Sequence, residues 1–387
     1  MDAIRRVILV VLDSVGAGDA PDAAAFGDVG ADTLGHIHSS VGLEVPNLRR
    51  MGLARVARIG PFAGPVEGAH GRLTEVSMGK DTMTGHFELA GLFVEVGYPS
   101  YPEGFPPEVM RAFEERIGRR ALGNVVASGT AILDDLGPEH LATGRPIVYT
   151  SADSVFQIAA HVDVVPLATL YDWCHAARDV LVAPHQVARV IARPFAGRPG
   201  AFERTKDRKD YALAPPEPTI LDHVTAAGHR TVAVGKIGDI FSREGIETSI
   251  PAKGNPACVD ATLEAMAADF SGMIFTNLVD FDTQYGHRRD PAGYRNCLEE
   301  FDRRVPDLQA ACKDGDLLVL TADHGNDPTY RGTDHTRERV PLLAWRRGIG
   351  DVDLGTRATY SDVAMTIDEV FALGRVARGT SFLDLLR

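Results

Sequence analysis

The chain of 387 residues has few cysteines and no long apolar run. Its four cysteines are scattered, and no two of them form a C-x-x-C pair: Cys174, Cys258, Cys297 and Cys312. This spacing fits neither a disulfide framework nor a structural zinc site, and it suits a reducing compartment. No window approaches the roughly 18 apolar residues that a membrane span needs, and the stretch VILVVL near the N-terminus is too short for a signal peptide. We therefore expect a cytoplasmic protein with no membrane partner.

The chain also lacks an excess of positive charge. It has 40 Lys and Arg against 53 Asp and Glu, which gives a formal net charge of −13. A general nucleic-acid binder needs clustered Lys and Arg to meet the phosphate backbone, so nucleic acid is not expected as a partner. An acidic chain can still hold an anionic substrate if metals or a few arginines gather positive charge locally. Otherwise the composition, 44% apolar and 24% charged, is that of a globular protein large enough for one large domain or two.

Short apolar runs alternate with helical patterns along much of the chain. Five runs are predicted to be buried parallel strands: VILVVL (7–12), TVAVG (231–235), MIFTNLV (273–279), LLVLTA (317–322) and VPLLAW (340–345). Helical patterns separate them, including TMTGHFELAGL, TILDHVTAAG, ACVDATLEAMAADF, the stretch 293–313 and YSDVAMTIDEVFA. This alternation predicts an α/β fold with a mostly parallel sheet and helices on both faces.

Two Pro-rich segments interrupt the alternation. YPSYPEGFPPE precedes a helical pattern and three strand-like stretches, NVVASG, PIVYTS and RVIARPF, and FERTKDRKDYALAPPEP follows them. Segments rich in helix and strand breakers are typical of domain borders. We therefore predict an inserted α+β domain at residues 98–216, within a core domain formed by residues 1–97 and 217–387.

Acidic residues and histidines follow the predicted strands. The candidates are Asp13, Asp282, His287, Asp323, His324 and His335. Because the carboxyl ends of parallel strands meet at one edge of a sheet, we expect these side chains to lie together. Asp and His without Cys suit manganese, zinc or magnesium. Six ligands exceed what one catalytic metal with an open position needs, so we expect two metals roughly 3.5–4 Å apart, as in many phosphoryl-transfer enzymes. Taken alone, an Asp after a strand is equally well explained as a helix N-cap.

The segment SMGKDTMTGHFE contains a candidate nucleophile. Lys80, Asp81 and Thr82 lie where a helix is predicted to begin, and a helix N-terminus attracts phosphate through its N–H groups. A threonine hydroxyl is a poor nucleophile at neutral pH, but a metal lowers the pKa of bound water from about 15.7 to about 7. That change corresponds to about 12 kcal/mol, and two metals are able to supply activation of this order. The residues alone do not choose between Thr82 and Thr84, and capping explains either hydroxyl.

Several segments together resemble the phosphopentomutase family of the alkaline phosphatase superfamily. They are VLDSVGAGDAPDA, GKDTMTGHFELAGL, VYTSADSVFQIAAH, RVIARPFAG, NLVDFDTQYGHRRDP and TADHGNDPTYRGTDHTRERVPLLA, and they extend nearly from end to end. The patterns D-x-x-x-x-H, D-H-G and D-H-T also occur in cofactor-independent phosphoglycerate mutases. TSADSV, IARPF and GKDTMTGH are more particular to phosphopentomutases.

The resemblance implies an alkaline phosphatase-like core with the insert as a cap domain. It implies two manganese ions, one held by Asp282, His287 and His335 and the other by Asp13, Asp323 and His324. It implies that Thr82 carries the phosphoryl group as phosphothreonine. It also implies a sugar-phosphate site near Ser151, Asp153, Arg193, Arg204 and Lys236. Arginine suits a bidentate phosphate contact, whereas Asp153 is also explained as a turn residue.

The activity that the resemblance implies is an isomerisation. A phosphate would move between C1 and C5 of ribose or deoxyribose through a bisphosphate intermediate, with a sugar bisphosphate as activator. The cap would retain that intermediate and exclude water. Three alternatives stay open: a metal-dependent phosphatase with the same core, a phosphoglycerate-type mutase, whose usual nucleophile is serine, and a non-catalytic metal-dependent binding protein. The residues leave open the oligomeric state and the choice between ribose and deoxyribose.

Overall fold

The computed structural model describes residues 3–151 and 154–387. Its strands are β1 (Arg6–Leu12), β2 (Gly68–Leu73), β3 (Leu122–Val126), β4 (Ile147–Thr150), β5 (Val155–His161), β6 (Arg189–Arg198), β7 (Ala201–Arg204), β8 (Lys209–Ala212), β9 (Arg230–Val234), β10 (Thr248–Ile250), β11 (Gly272–Leu278), β12 (Asp316–Thr321), β13 (Val340–Trp345) and β14 (Asp351–Arg357). Its α-helices are α1 (Ala23–Phe26), α2 (Thr33–Val41), α3 (Pro46–Arg50), α4 (Leu53–Val56), α5 (Thr82–Leu89), α6 (Pro107–Ile117), α7 (Ala131–Thr143), α8 (Leu167–Val180), α9 (Ile220–Ala226), α10 (Ile237–Ile240), α11 (Asn255–Ala267), α12 (Pro291–Ala311) and α13 (Asp362–Val370). A π-helical turn covers Phe281–Gly286, and a 3-10 turn covers Leu383–Leu386.

The chain forms two compact units. The first comprises the chain up to Val96 together with Pro215–Arg387, and the second comprises Gly97–Ala214. Among the described residues, no helix is both long and apolar enough to cross a bilayer.

The first unit contains a mixed sheet of eight strands among the described residues. Their order is β10-β9-β11-β1-β12-β13-β2-β14. The pairs from β10 to β12 are parallel, and so is the pair of β2 with β14. The predicted α/β class with a mostly parallel sheet is confirmed.

The prediction that VPLLAW is a parallel strand is wrong, because β13 is antiparallel to both of its neighbours. A parallel connection needs a crossover, usually a helix. The fully described loop from Ala322 to Arg339 contains no helix, so the chain returns directly as an antiparallel strand. Five of the six β13 residues are buried, which produces the continuous apolar run that parallel strands usually show.

The central strands bring three chain segments to the same edge of this sheet. All residues of β1, β11 and β12 are buried, which explains why the runs do not alternate with polar residues. In the parallel register Leu12 pairs with Leu278, and Val11 pairs with Thr321. The residues that follow these pairs therefore leave the sheet side by side.

Side-chain caps determine where two helices of the first unit begin. The Asp81 carboxylate accepts hydrogen bonds from the N–H groups of Met83 (3.1 Å) and Thr84 (3.2 Å), so α5 begins at Thr82. The N–H of Thr219 donates to Asp222 at 2.7 Å in a capping box that begins α9. Such caps satisfy N–H groups that have no partner within the helix.

The second unit has its own sheet and core. The described strands follow the order β3-β4-β5-β6-β7, and β8 also pairs with β6. Three aromatic rings lie at the centre of its larger apolar cluster, with the Phe156 ring 4.7 Å from that of Phe105 and 5.1 Å from that of Phe113 between centroids. This unit therefore buries apolar surface independently of the larger sheet.

Candidate metal centre

Buried Asp and His side chains gather beyond the C-terminal ends of three central strands. Asp13 follows β1, Asp282 lies in the π-helical turn after β11, Asp323 and His324 follow β12, and His335 precedes β13. All five are buried. Their potential ligand atoms form two groups in which all atoms lie within 4.8 Å of one another: Asp13, Asp323 and His324, and Asp282, His324 and His335. His324 thus belongs to both groups.

His287, the sixth predicted ligand, lies beside the second group. Its Nε2 atom is 3.2 Å from Asp282 Oδ2 and 3.1 Å from Nε2 of His335. Its Nδ1 atom lies 2.7 Å from the carbonyl oxygen of Thr333, which can only accept, so Nδ1 carries the proton in the neutral ring. Nε2 then presents a lone pair toward Asp282 and His335. A cation held by the Asp282 carboxylate and the two Nε2 atoms would offset the repulsion between these negatively polarised atoms.

The first group contains carboxylate oxygens without a hydrogen-bond donor. Asp13 Oδ1 and Asp323 Oδ2 are buried and form no hydrogen bond within the described part of the chain. His324 Nε2 lies 3.4 Å and 3.5 Å from these two oxygens, while its Nδ1 donates to the Gly325 carbonyl at 3.1 Å. Burying a carboxylate oxygen without a partner is costly. A divalent cation would satisfy both oxygens, and donors of carboxylate and imidazole type fit such a cation.

Neighbouring polar groups orient the carboxylates. Asn277 Nδ2 donates to Asp13 Oδ2 at 3.0 Å, and Asn326 Nδ2 donates to Asp282 Oδ1 at 2.8 Å. The N–H of Ser14 donates to an oxygen of the Asp323 carboxylate, also at 3.0 Å. Outer partners of this kind hold metal ligands in place.

These orienting residues carry no signal of their own in the sequence, although both asparagines lie inside the motifs NLVDFD and DHGN. Ser14 has a φ of 75°, in the left-handed region, which is uncommon for a residue other than glycine. The chain turns sharply at this point, directly after Asp13.

The electrostatic field of the site attracts positive charge. Burial and the nearby charge of Asp323 raise the pKa of Asp13. Burial opposes ionisation of Asp282 as well, but positive charge on His335 and His287, when these rings are protonated, holds the pKa of Asp282 well below its ordinary value. Burial also disfavours a charged His324, yet Asp323 and Asp13 raise its pKa well above 6.5. The carboxylates therefore stabilise a cation at this position, either a proton on His324 or a metal that displaces it.

The structure distinguishes the two candidate threonines. Thr82 Oγ1 lies 3.3 Å from His324 Nε2, next to the metal-binding candidates. The hydroxyl of Thr84 is buried and donates to Asp81 Oδ2 at 2.6 Å. Asp81 accepts from the N–H groups of Met83 and Thr84, so these two N–H groups of the helix are already paired.

The predicted substrate residues lie in both units. Arg193 on β6 donates through Nε to Gln157 Oε1 at 2.9 Å, and burial lowers its pKa to about 10. Arg204 is exposed on β7, the strand next to β6. Burial raises the pKa of the Tyr149 hydroxyl while the charges of Arg193 and Arg204 lower it, so both arginines lie near this side chain.

The remaining predicted substrate residues lie elsewhere. Ser151 is partly buried at the end of β4. Asp153 lies outside the described residues. Lys236 is exposed in the first unit, directly before α10.

Known proteins are similar to this chain over most of its length. The profile of the metalloenzyme superfamily matches residues 5–374. The phosphopentomutase of Caldanaerobacter subterraneus subsp. tengcongensis is 53% identical over 98% of this chain and 98% of its own length. The phosphopentomutase of Deinococcus radiodurans is 52% identical over 99% of this chain and 100% of its own.

Solved structures show the fold at greater distance. The structure of a Pyrococcus horikoshii protein covers 98% of this chain and 100% of its own, with 13% identity and a TM-score of 0.51. Such a likeness shows the fold alone. The two phosphopentomutases are about half identical to this chain over almost its whole length, which is a more specific likeness. The chain therefore belongs to the phosphopentomutase family within the metalloenzyme superfamily.

Proposed function

We propose that this protein interconverts ribose or deoxyribose 1-phosphate and the corresponding 5-phosphate, with Thr82 as the phosphorylated nucleophile. The observation that carries the proposal is the contact of 3.3 Å between Thr82 Oγ1 and His324 Nε2. It places a hydroxyl beside a buried cluster of carboxylates and imidazoles. Relatives named phosphopentomutase, at 50–53% identity, support the choice of reaction.

The residues present fit two divalent cations, and the family resemblance favours manganese. Asp13, Asp323 and His324 would hold one ion, and Asp282, His287 and His335 the other, with His324 close to both groups. Bound cations would neutralise phosphoryl oxygens and lower the pKa of the Thr82 hydroxyl.

Thr82 exchanges the phosphoryl group with the sugar in two steps. In the first, the O5 hydroxyl of a pentose 1-phosphate attacks phosphothreonine, so an O5–P bond forms, the O5–H and Oγ1–P bonds break, and Thr82 Oγ1 takes up the proton. This step yields a 1,5-bisphosphate. After the bisphosphate turns around, Thr82 Oγ1 attacks the phosphorus on O1 and loses its proton, the O1–P bond breaks, O1 takes up a proton, and pentose 5-phosphate leaves. The cycle must begin from the phosphorylated enzyme, so a sugar bisphosphate acts as activator.

The second unit acts as a cap during this cycle. It retains the bisphosphate while the sugar turns and excludes water, which would otherwise hydrolyse phosphothreonine. Arg193 and Arg204 supply the charge for a phosphate contact, and Ser151, Asp153 and Lys236 are the other residues that the family resemblance implies for substrate binding. A guanidinium group suits this task because its planar N–H groups match two phosphate oxygens.

Phosphorus NMR tests the proposal directly. Ribose 1-phosphate is mixed with the protein, Mn²⁺ and a trace of a sugar bisphosphate. Wild type should form ribose 5-phosphate with little inorganic phosphate, and Thr82→Ala should form none. Thr84→Ser, which keeps the hydroxyl that donates to Asp81, is the matched control and should retain activity.

Two outcomes would contradict the proposal. Accumulation of inorganic phosphate in place of ribose 5-phosphate would make the protein a phosphatase. Full activity of Thr82→Ala would remove Thr82 from the mechanism. Mass spectrometry of the peptide that contains Thr82, after incubation with the bisphosphate, locates the phosphoryl group independently of turnover.

A further inference from the structure

His86 lies on α5 one helical turn after Thr82, and its side chain is fully buried. Its Nδ1 atom is 2.8 Å from the carbonyl oxygen of Thr82 and 3.1 Å from Asp323 Oδ2. A carbonyl oxygen can only accept a hydrogen bond, so Nδ1 carries the proton. This N–H group therefore donates to the carbonyl of the residue that we propose as nucleophile, and it also lies in electrostatic contact, without hydrogen-bond geometry, with the carboxylate of a proposed metal ligand.

The Asp323 carboxylate is contacted from two sides. Its Oδ1 atom accepts from the N–H of Ser14 at 3.0 Å, and its Oδ2 atom faces His86. These two contacts restrain rotation of the carboxylate about its terminal torsion. The orientation of Asp323 thus depends on Ser14, in the loop after β1, and on His86, in α5. These two residues are far apart in the sequence.

The rest of the imidazole has no polar role. Nε2 is buried and forms no hydrogen bond with any described residue. The ring stacks on Phe275, with centroids 5.8 Å apart and an interplanar angle of 22°. An apolar side chain would fill the space around Phe275 without burying an unpaired ring nitrogen, so the Nδ1–H group is the feature that distinguishes histidine here.

Gly85 brings the helix close enough for the contact. A Cβ atom at this position would lie 2.1 Å from the carbonyl oxygen of Asp323, so only glycine permits the observed approach. The next residue, His86, can then reach the carboxylate of the same aspartate. The first turns of α5 are thereby docked on the end of β12.

We propose that His86 is a positioning residue that fixes the Asp323 carboxylate relative to the first turn of α5. Through this contact the Thr82 hydroxyl is held beside the metal-binding carboxylates. The inference rests on the proposed function only for the roles of Thr82 and Asp323. It assigns no proton transfer to His86.

Three substitutions distinguish the effect of the N–H donor's position from the effect of side-chain volume. His86→Asn keeps an N–H donor close to the place of Nδ1, His86→Gln moves its amide toward the place of Nε2, and His86→Leu removes the donor. The readouts are Mn²⁺ affinity by calorimetry, kcat and KM for ribose 1-phosphate, and the thermal midpoint of the metal-free protein.

His86→Leu should weaken Mn²⁺ binding about 10- to 100-fold, the usual effect of losing an outer partner of a metal ligand. We expect kcat to fall by a similar factor while KM changes little. His86→Asn should stay much closer to wild type than His86→Gln does. If His86→Leu does not fold, the comparison of Asn with Gln still tests the position of the donor.

The inference is overturned if His86→Leu binds Mn²⁺ and turns over as wild type does, or if His86→Asn is no better than His86→Gln. Its failure differs from failure of the proposed function. Should the NMR experiment show no mutase activity, loss of Mn²⁺ affinity in His86→Leu would still support the role of His86. Wild-type behaviour of His86→Leu in an active mutase would refute the role of His86 alone.

Discussion

Replacing Arg337 by methionine removes a buried guanidinium group that links the His335 segment to the loop before α5. Its side chain is fully buried, and it donates to Glu75 Oε2 at 2.5 Å and to Asp22 Oδ2 at 2.9 Å. It also donates to the main-chain carbonyls of Glu75 and Gly79. The substitution therefore affects both the stability of the core and the placement of the loop that leads to Thr82.

The magnitude follows from the burial of the partners. The Glu75 side chain is 1% exposed, whereas that of Asp22 is 42% exposed and stays solvated. Removing one partner of a buried pair costs about 3–5 kcal/mol. Burial already raises the pKa of Glu75 well above 4.5 despite Arg337, so protonation of Glu75 in the variant should hold the loss near the lower end of that range.

Urea unfolding of Arg337→Met, Glu75→Gln and the double variant tests this reasoning. The double variant leaves no uncompensated buried charge, so it should be less destabilised than the sum of the single variants. Arg116→Met is the control, because Arg116 and Asp179 form an exposed pair that should contribute about 0–1 kcal/mol. A loss below about 1 kcal/mol in Arg337→Met would refute the assignment of a stabilising buried pair.

Three further predictions concern the candidate metal centre and its surroundings. Gly85→Ala should lower the thermal midpoint and reduce kcat at least about tenfold, because the added Cβ would lie 2.1 Å from the Asp323 carbonyl oxygen. Gly350→Ala is the control and should behave as wild type in both assays, because its added Cβ would have no atom within 4 Å. Burial raises the pKa of Glu338 to about 7, so the folded protein keeps a proton that the unfolded chain loses above pH 4.5. The contribution of Glu338 to the free energy of unfolding should therefore fall by about 3 kcal/mol between pH 4.5 and 7. Urea titrations of metal-free protein should show Glu338→Gln less dependent on pH than wild type by this amount. Removing divalent ions with EDTA should lower the thermal midpoint, and Mn²⁺ at about 100 times its Kd should restore about 2.7 kcal/mol of the free energy of unfolding. An unchanged midpoint in differential scanning fluorimetry would contradict this prediction.

The apolar pattern of the sequence determined most of the central sheet. The runs at 7–12, 231–235, 273–279 and 317–322 correspond to β1, β9, β11 and β12 within a residue at each end. Strand β2, GAHGRL, was missed because its two glycines and its histidine carry no strand signal. Strand β14 was missed because it lies at the sheet edge, where most of its residues stay at least partly exposed.

The sequence also identified which strand ends carry Asp and His, because the parallel topology alone predicts that such ends meet at one edge. It did not determine which group donates to which oxygen. The contact of Asn277 with Asp13 follows from the register between β1 and β11, and the contact of His86 with Asp323 follows from the close docking of α5 at Gly85. Register and docking depend on contacts between segments far apart in the chain, so only the tertiary structure decided how the candidate ligands are oriented.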